Sequence, residues 1–405
     1  MQLTEPKKSQ KTNENQHVNW LPIFAIAAGT FSTVTTEFLP VGLLPQIAAS
    51  FGVSIGSAGW MVTIPGLVAA CAAPLLLVKA GRIDRRTILL ALTVTTAISN
   101  LVSATAANFT VMLVGRILLG ICVGGFWAVA ANLGRRLVPE DKKDRATAII
   151  MAGISAGTVC GLPAGAWVGL ALGWRVSFVI NCILAVLILL AQALTLPKCP
   201  AQSSFYWSNL ARPLRLSAVR LGLLATFFVI AGYFAGYAFL SPYLMQMFSV
   251  SGQVLSSLFL VYGVAGIGGT FMAERLLGLG ARKALVFVSI GLVFSMLIGH
   301  HLGHGLLAAI MFVVLIGAGF GAAPVCLSAT LFEATPKEPE AGQALLTLVF
   351  QAAIALGTAI GGTVVSRIGV SQVMLSGGGI ILIAVILVVV GTPQPRSGSA
   401  ALERG

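Results

Sequence analysis

Glu37 and Arg116 are the one acid and the one base set deep inside long apolar runs of this sequence. A charge near the middle of a bilayer costs ~2.5–3.5 kcal/mol even on the most lenient insertion scale, so it belongs beside a cavity or a partner. A carboxyl group so placed takes up a proton when desolvated and releases it when water or a cation favours the charged form, which is the chemistry of proton exchange. At 1.5 Å per residue, Glu37 lies roughly 25 Å along its helix, and Arg116 roughly 10 Å in from the opposite face of a ~30 Å core. The two depths agree to about one turn. The pair therefore reads as a proton site tuned by a neighbouring cation, or as a static buried ion pair that fixes two helices. Stability alone is a poor reason to bury charges, which favours proton coupling.

Other polar side chains fall at helical spacing on apolar runs. Trp127 follows Arg116 by eleven residues and shares its face with Gly120 and Val123, which offers a ring-bearing solute a cation above an aromatic platform. Interior packing is the plainer reading of Trp127. Tyr233 and Tyr237, and Gln343, Thr347 and Gln351, recur four apart as polar stripes that line a cavity or hydrogen-bond to a neighbouring helix. His300, His301 and His304 stand among Gly299, Gly303 and Gly305 with no carboxylate or cysteine near, so they read as a polar turn rather than a metal site. The six cysteines fall singly, without a C-x-x-C pair. No nucleophile with its base, phosphate loop or paired carboxylates occurs, so the chain is not read as an enzyme and no cofactor or metal is expected.

The elements that position these residues follow from composition. The 405 residues are 57% hydrophobic and 9% charged, with mean hydropathy +0.95, against roughly 25% charged residues in soluble domains. This is an all-α integral membrane protein. Apolar segments long enough to cross the bilayer recur twelve times, at 20–47, 56–78, 88–106, 110–134, 146–171, 174–196, 218–247, 254–277, 284–302, 305–331, 342–366 and 371–391. The reading is a tail over 1–19, a six-helix bundle over 20–196, a linker over 197–217, a second bundle over 218–391 and a tail over 392–405. Residues 1–19 are polar and carry no signal-peptide core. With the N-terminus in the cytoplasm, 22 of the 25 basic residues fall inside, leaving Arg175 and Arg367 outside and Arg116 within a span. The positive-inside rule thus places both termini in the cytoplasm and makes the net charge of +13 topological, not a sign of a nucleic-acid partner.

A glycine ladder runs along the fifth segment at Gly153, Gly157, Gly161, Gly165, Gly169 and Gly173, interrupted by Pro163. Small residues every fourth position let another backbone approach closely. Gly161, Gly165 and Gly173 reappear as Gly357, Gly361 and Gly369, each displaced by 196 positions. Such an internal repeat is expected of a transporter built from two bundles with its substrate site between them.

These residues resemble the major facilitator superfamily, and within it the bacterial drug:proton antiporters. Thr36-Glu37-Phe38-Leu39-Pro40 looks like that branch's acidic motif in helix 1, and Leu113-Val114-Gly115-Arg116 with Gly120 and Gly124 looks like its arginine motif in helix 4. The ladder with Gly161-Leu162-Pro163-Ala164-Gly165 resembles the helix 5 antiporter motif, with Leu162 inserted where glycine and proline are usually adjacent. The loop motif between helices 2 and 3 departs further. Lys79-Ala80-Gly81-Arg82-Ile83-Asp84-Arg85-Arg86 has glycine at the family's aspartate position, so that Asp84, followed by Arg85 and Arg86, would supply the acid from a shifted place.

Glu37-Phe38-Leu39-Pro40-Val41 with Gly124-Gly125-Phe126-Trp127-Ala128 is most similar to purine ribonucleoside exporters and their relatives, some of which are sugar or drug exporters. The resemblance implies a monomer in the bacterial inner membrane that exchanges a small organic solute for protons. Glu37 and Arg116 would couple the proton, and Trp127, Tyr233, Tyr237, Thr347 and Gln351 would meet substrate. Gly153, Gly157, Gly161, Pro163, Gly165, Gly357 and Gly361 would let the bundles rock. Import by symport, and a receptor or scaffold without transport, are the alternatives; the absence of any loop beyond roughly 20 residues weighs against the last.

Overall fold

The computed structural model describes residues 19–79, 83–200, 211–299, 301, 304–336 and 338–391. The two tails up to residue 18 and from 392, the middle of the linker, His300 and the glycine of the loop motif lie outside these residues. Among the described residues, twelve helices are long and apolar enough to span a membrane: α1 (Leu21–Phe51), α2 (Ile55–Leu76), α3 (Arg85–Thr105), α4 (Phe109–Trp127), α5 (Glu140–Leu172), α6 (Trp174–Thr195), α7 (Ser217–Tyr237), α8 (Gly252–Leu277), α9 (Ala281–Ile298), α10 (Leu306–Ala334), α11 (Ala341–Arg367) and α12 (Val370–Val390). The helix of α4 continues to Arg136. Because the number of spans is even, both described chain ends emerge on the same side.

Two local departures from the expected spans have covalent causes. The seventh segment breaks after Tyr237 and resumes as a short helix, Leu240–Met247. Pro242 has no N–H for the carbonyl of Ala238, and its ring crowds that carbonyl, so the helix cannot run through. In α5 the turn Gly157–Gly161 widens to i→i+5 hydrogen bonding immediately before Leu162 and Pro163. A widened turn absorbs the missing proline donor without breaking the helix, and such turns recur at functional places.

The glycine ladder packs on α1 in a fixed register. A Cβ on Gly153 would stand 2.3 Å from the Ala27 carbonyl oxygen, one on Gly157 3.0 Å from that of Phe31, and those on Gly161, Gly165 and Gly169 would strike Thr35, Leu39 and Leu43. Partners are 126 positions apart at every rung. The second half keeps that spacing, because Gly357 lies on Ala231 and Gly361 on Ala235, each 2.1 Å from a carbonyl oxygen if given a Cβ. Thus the pairs 35/161 and 39/165 reappear 196 positions later as 231/357 and 235/361. The turns that follow match as well, with φ +98° at Gly173 and +112° at Gly369. By the same offset, the counterpart of Glu37 on α7 is Tyr233.

Gly357→Ala is expected to cost on the order of 1–3 kcal/mol through overpacking, because the obstructing atom is backbone. Gly379→Ala on α12, where a Cβ meets nothing within 4 Å, is expected to be neutral or stabilising by up to about 1 kcal/mol. Thermal unfolding of the two variants in detergent separates close packing from mere glycine content.

The bundles meet along a seam whose described contacts run from the midplane to the end away from the termini. A Cβ on Gly56 (α2) would strike Ser366 and stand 2.4 Å from the Gly362 oxygen (α11), and Gly66 lies on Gln351 and Ala355. The other half mirrors this, with Gly252 against Leu170 and Gly263 against Val159. Both crossings, α2 on α11 and α8 on α5, obey the 196-residue offset to within one position. The seam is therefore a two-fold joint. This structure holds it closed at the far end.

Candidate functional site

Three prolines prepare the site. A proline offers no N–H to the carbonyl four residues before it, so Pro40 and Pro45 in α1 leave Thr36 and Val41 without helical donors, and Pro65 in α2 does the same to Met61. Arg116, fully buried on α4, supplies two of the missing donors. Its Nη1 donates to the Thr36 oxygen at 2.9 Å and its Nε to the Met61 oxygen at 2.8 Å, while Nη2 donates to the Glu37 oxygen at 2.9 Å. The third orphan, the Val41 oxygen, accepts from Ser241 Oγ across the seam at 2.6 Å. The planar fork of a guanidinium suits this task, since its donors diverge in fixed directions toward two helices.

Arg116 and Glu37 are therefore neighbours, but not as an ion pair. The guanidinium grips the backbone of α1 and α2, and the ion pairs among the described residues, Arg135–Asp144, Lys143–Glu140 and Arg212–Glu338, all lie at the periphery. The static charge pair expected of a purely structural role is replaced by a backbone clamp. The Glu37 carboxyl, 4% exposed, lies near the Arg116 charge without bonding it and also borders the second bundle. Gln351 of α11 is within hydrogen-bonding reach, and the hydroxyl of Tyr237 on α7 lies close to its charge. The Oε1 atom of Gln351 is buried and has no partner.

Beside Glu37 the seam opens onto stacked rings. Phe38 lies 5.9 Å from Phe234 and 6.0 Å from Tyr237, centre to centre. Tyr233 stacks on Tyr237 at 5.2 Å and on Phe320 of α10 at 4.1 Å with 10° between planes. The hydroxyls of Tyr233 and Tyr262 (α8) share a hydrogen bond, and the Tyr237 ring stacks on that of Tyr262 at 5.4 Å. Tyr233 and Tyr237 are thus placed together on α7. Tyr262 and Phe320 were not expected from the sequence. Only five tyrosines occur in 405 residues, and four of them, at 233, 237, 243 and 262, are buried in one bundle; that concentration was the available signal.

The remaining candidates are dispersed. Trp127 is half-buried and lines a cleft between α1, α4 and α5 with Thr30, Val34, Ala130 and Met151. It does not share a surface with Arg116, whose donors point at carbonyls on α1 and α2, so the expected cation-over-aromatic platform is absent from this arrangement. Thr347 is half-buried and returns its hydroxyl to the Gln343 oxygen of its own helix at 3.0 Å.

Asp84 also differs from its expected part. It caps α3 through the Arg86 N–H at 2.8 Å and accepts from the Cys199 N–H at 3.0 Å, while Arg86 Nη2 reaches the Ala193 oxygen at 2.7 Å. The shifted acid ties the start of the linker to the first bundle. Among the histidines, His304 Nδ1 donates to the Met247 oxygen at 2.8 Å, and no metal-binding group of three or more His, Cys, Asp or Glu occurs among the described residues.

The family model of the Major Facilitator Superfamily matches residues 26–341 and 222–405. The chain is 33% identical over 385 residues to the transcription regulatory protein OpdE of Pseudomonas aeruginosa, covering 93% of this chain and 95% of that one. It is 29% identical over 379 residues to the purine ribonucleoside efflux pump NepI of Escherichia coli K12, covering 94% and 96%. Among solved structures, a bacterial homologue of the human lysosomal transporter Spinster, inward-facing and unoccupied, superposes with a TM-score of 0.73 at 15% identity, covering 93% of this chain and 96% of that one. The human organic anion transporter MFSD10 superposes with 0.65 at 19% identity, covering 92% and 98%.

Proposed function

Because the chain belongs to the major facilitator superfamily, we propose that it exports a small organic solute, purine nucleosides or bases foremost, in exchange for protons across the bacterial inner membrane. One observation carries the proposal: Glu37, the buried acid of α1, lies where the two bundles meet, its backbone oxygen held by Arg116 and its carboxyl close to Gln351 of α11 and Tyr237 of α7. There the cost of a buried charge depends on which bundle surface lies opposite, so rocking changes the carboxyl's proton affinity. Positive-inside topology puts the closed end of the seam on the periplasmic side.

In the proposed cycle Glu37 takes its proton while that end is open, and the bundles rock about the two glycine joints. The proton is then lost to the cytoplasm as solute enters. Once the bundles part and these rings separate, a planar base would stack among Phe38, Tyr237, Tyr233 and Phe320, since aromatic faces stack on nucleobases with little regard to their edges. Gln351, with its free carbonyl, supplies a directional contact. The seam lies within one chain, so a monomer suffices.

Everted vesicles provide the test. With an inside-acid pH gradient they are expected to accumulate labelled inosine or adenine, and to lose it when the gradient is collapsed. Right-side-out vesicles with an inside-alkaline gradient, the sense that energises the cell, are expected to expel preloaded label; accumulation under that gradient identifies symport instead. Uptake of a sugar or a lipophilic cation with no response to purines moves the substrate class, while absence of gradient-driven movement for the whole panel ends the antiporter reading.

A further inference from the structure

The far end of the α2–α11 seam holds a cleft of about 300 Å³ whose walls come from opposite bundles, with Ser57, Trp60 and Thr63 on one side and Thr358, Thr363 and Arg367 on the other. Three features of this cleft are unaccounted for by folding. Arg367 is one of two arginines on the side that the charge asymmetry otherwise leaves bare. The other, Arg175, has structural work: its Nη2 donates to the Ala106 oxygen at 2.9 Å and its guanidinium lies 4.2 Å over Trp174. Arg367 is exposed and, among the described residues, has no hydrogen-bond or ion-pair partner.

The second feature is Thr358. Thr63 and Thr363 return their hydroxyls to carbonyls of their own helices, at 3.3 and 3.0 Å. Thr358 Oγ1, wholly buried at the base of the cleft, has no partner at all, and a buried hydroxyl left unpaired is costly. The third is Trp60, which is 47% exposed one turn into α2. Helix ends lie at headgroup depth, and tryptophan concentrates at that level.

We propose that this cleft binds the phosphate-bearing headgroup of an anionic phospholipid, with the phosphate on Arg367, headgroup hydroxyls on Ser57 and Thr358, and the glycerol backbone against Trp60. No acidic residue lines it, so an ethanolamine headgroup brings an ammonium that finds only a like charge. Directly behind the cleft Gly56 meets Gly362, the contact that closes this end of the seam. A headgroup bridging both walls therefore favours the state closed at this end. The inference does not rest on the transported solute or on protons.

The test uses the purified full-length chain in detergent, titrated with phosphatidylglycerol, phosphatidylethanolamine, glycerol phosphate and inorganic phosphate, and read by native mass spectrometry and thermal unfolding. Phosphatidylglycerol is expected to remain bound and raise the unfolding temperature, with Arg367→Gln weakening binding by about tenfold or more, as loss of a charge-assisted contact does. Thr358→Val is expected to weaken it severalfold without lowering the stability of the lipid-free protein. Glycerol phosphate binding as tightly as the lipid identifies a soluble phosphoester as the source, with the same chemistry. Equal binding of both lipids, or binding unchanged in Arg367→Gln, overturns the proposal. So does a loss of stability in Arg367→Gln that is the same with and without lipid, which assigns the side chain to the end of α11 alone.

Discussion

Replacing Arg116 with methionine is expected to destabilise the first bundle by about 3–5 kcal/mol, the range for removing one partner from a buried charged contact. The loss has a specific origin. Three carbonyl oxygens on two helices accept from this one side chain, and those of Thr36 and Met61 have no helical alternative because Pro40 and Pro65 lack the N–H. Each buried acceptor left bare costs about 1–3 kcal/mol. The prolines make the account testable. Adding Pro40→Ala and Pro65→Ala to Arg116→Met restores a backbone donor to each orphan, so the triple variant should recover a large share of the loss in thermal unfolding. If Arg116 served instead to neutralise Glu37, the alanines would recover nothing and Glu37→Gln would rescue the methionine variant. Arg116→Lys should fall between, since one ammonium cannot reach carbonyls on two helices in the required directions.

That clamp also shows where reading the sequence reaches and where it stops. The spans were legible because twenty consecutive apolar residues have few other uses, and the 196-residue echo of the ladder was legible because glycine is chosen for close approach. The nearness of Glu37 and Arg116 followed from depth, which needs only a rise per residue. Direction did not follow. Which way Arg116 turns is decided by carbonyls on two other helices, and those are vacant because of prolines 76 and 51 residues away along the chain. The same blindness applied to Trp127, which shares a helical face with Arg116 on paper but looks into a different cleft. It applied to Phe320 and Tyr262 too, whose value lies in what stacks or bonds against them. Asp84 was seen as an acid out of place; its bond to Cys199 required knowing where the linker begins its path.

Glu37→Gln is expected to abolish gradient-driven movement of solute, by on the order of 10²-fold or more as for loss of a positioned proton carrier, while the protein keeps its fold. The fold should survive because the site asks little of the charge. Arg116 bonds the backbone oxygen of residue 37, not its carboxylate, and a glutamine amide can still meet Gln351. Coupling should not survive, because an amide cannot exchange a proton in this range. The pH dependence carries the sign. In an exchanger proton and solute exclude one another, so the apparent Kd of the wild type falls as pH rises through the titration of the carboxyl, by up to about tenfold per pH unit, and levels off once it is ionised. The glutamine variant should bind solute with no such slope. Solute-for-solute exchange, which moves no net proton, should persist in it. That pattern separates loss of coupling from loss of the site: a variant that loses counterflow and gradient-driven transport together, with normal thermal stability, makes Glu37 a substrate contact. One that keeps gradient-driven transport within about twofold removes Glu37 from proton coupling altogether, since a carrier with no titrating group cannot link the two fluxes.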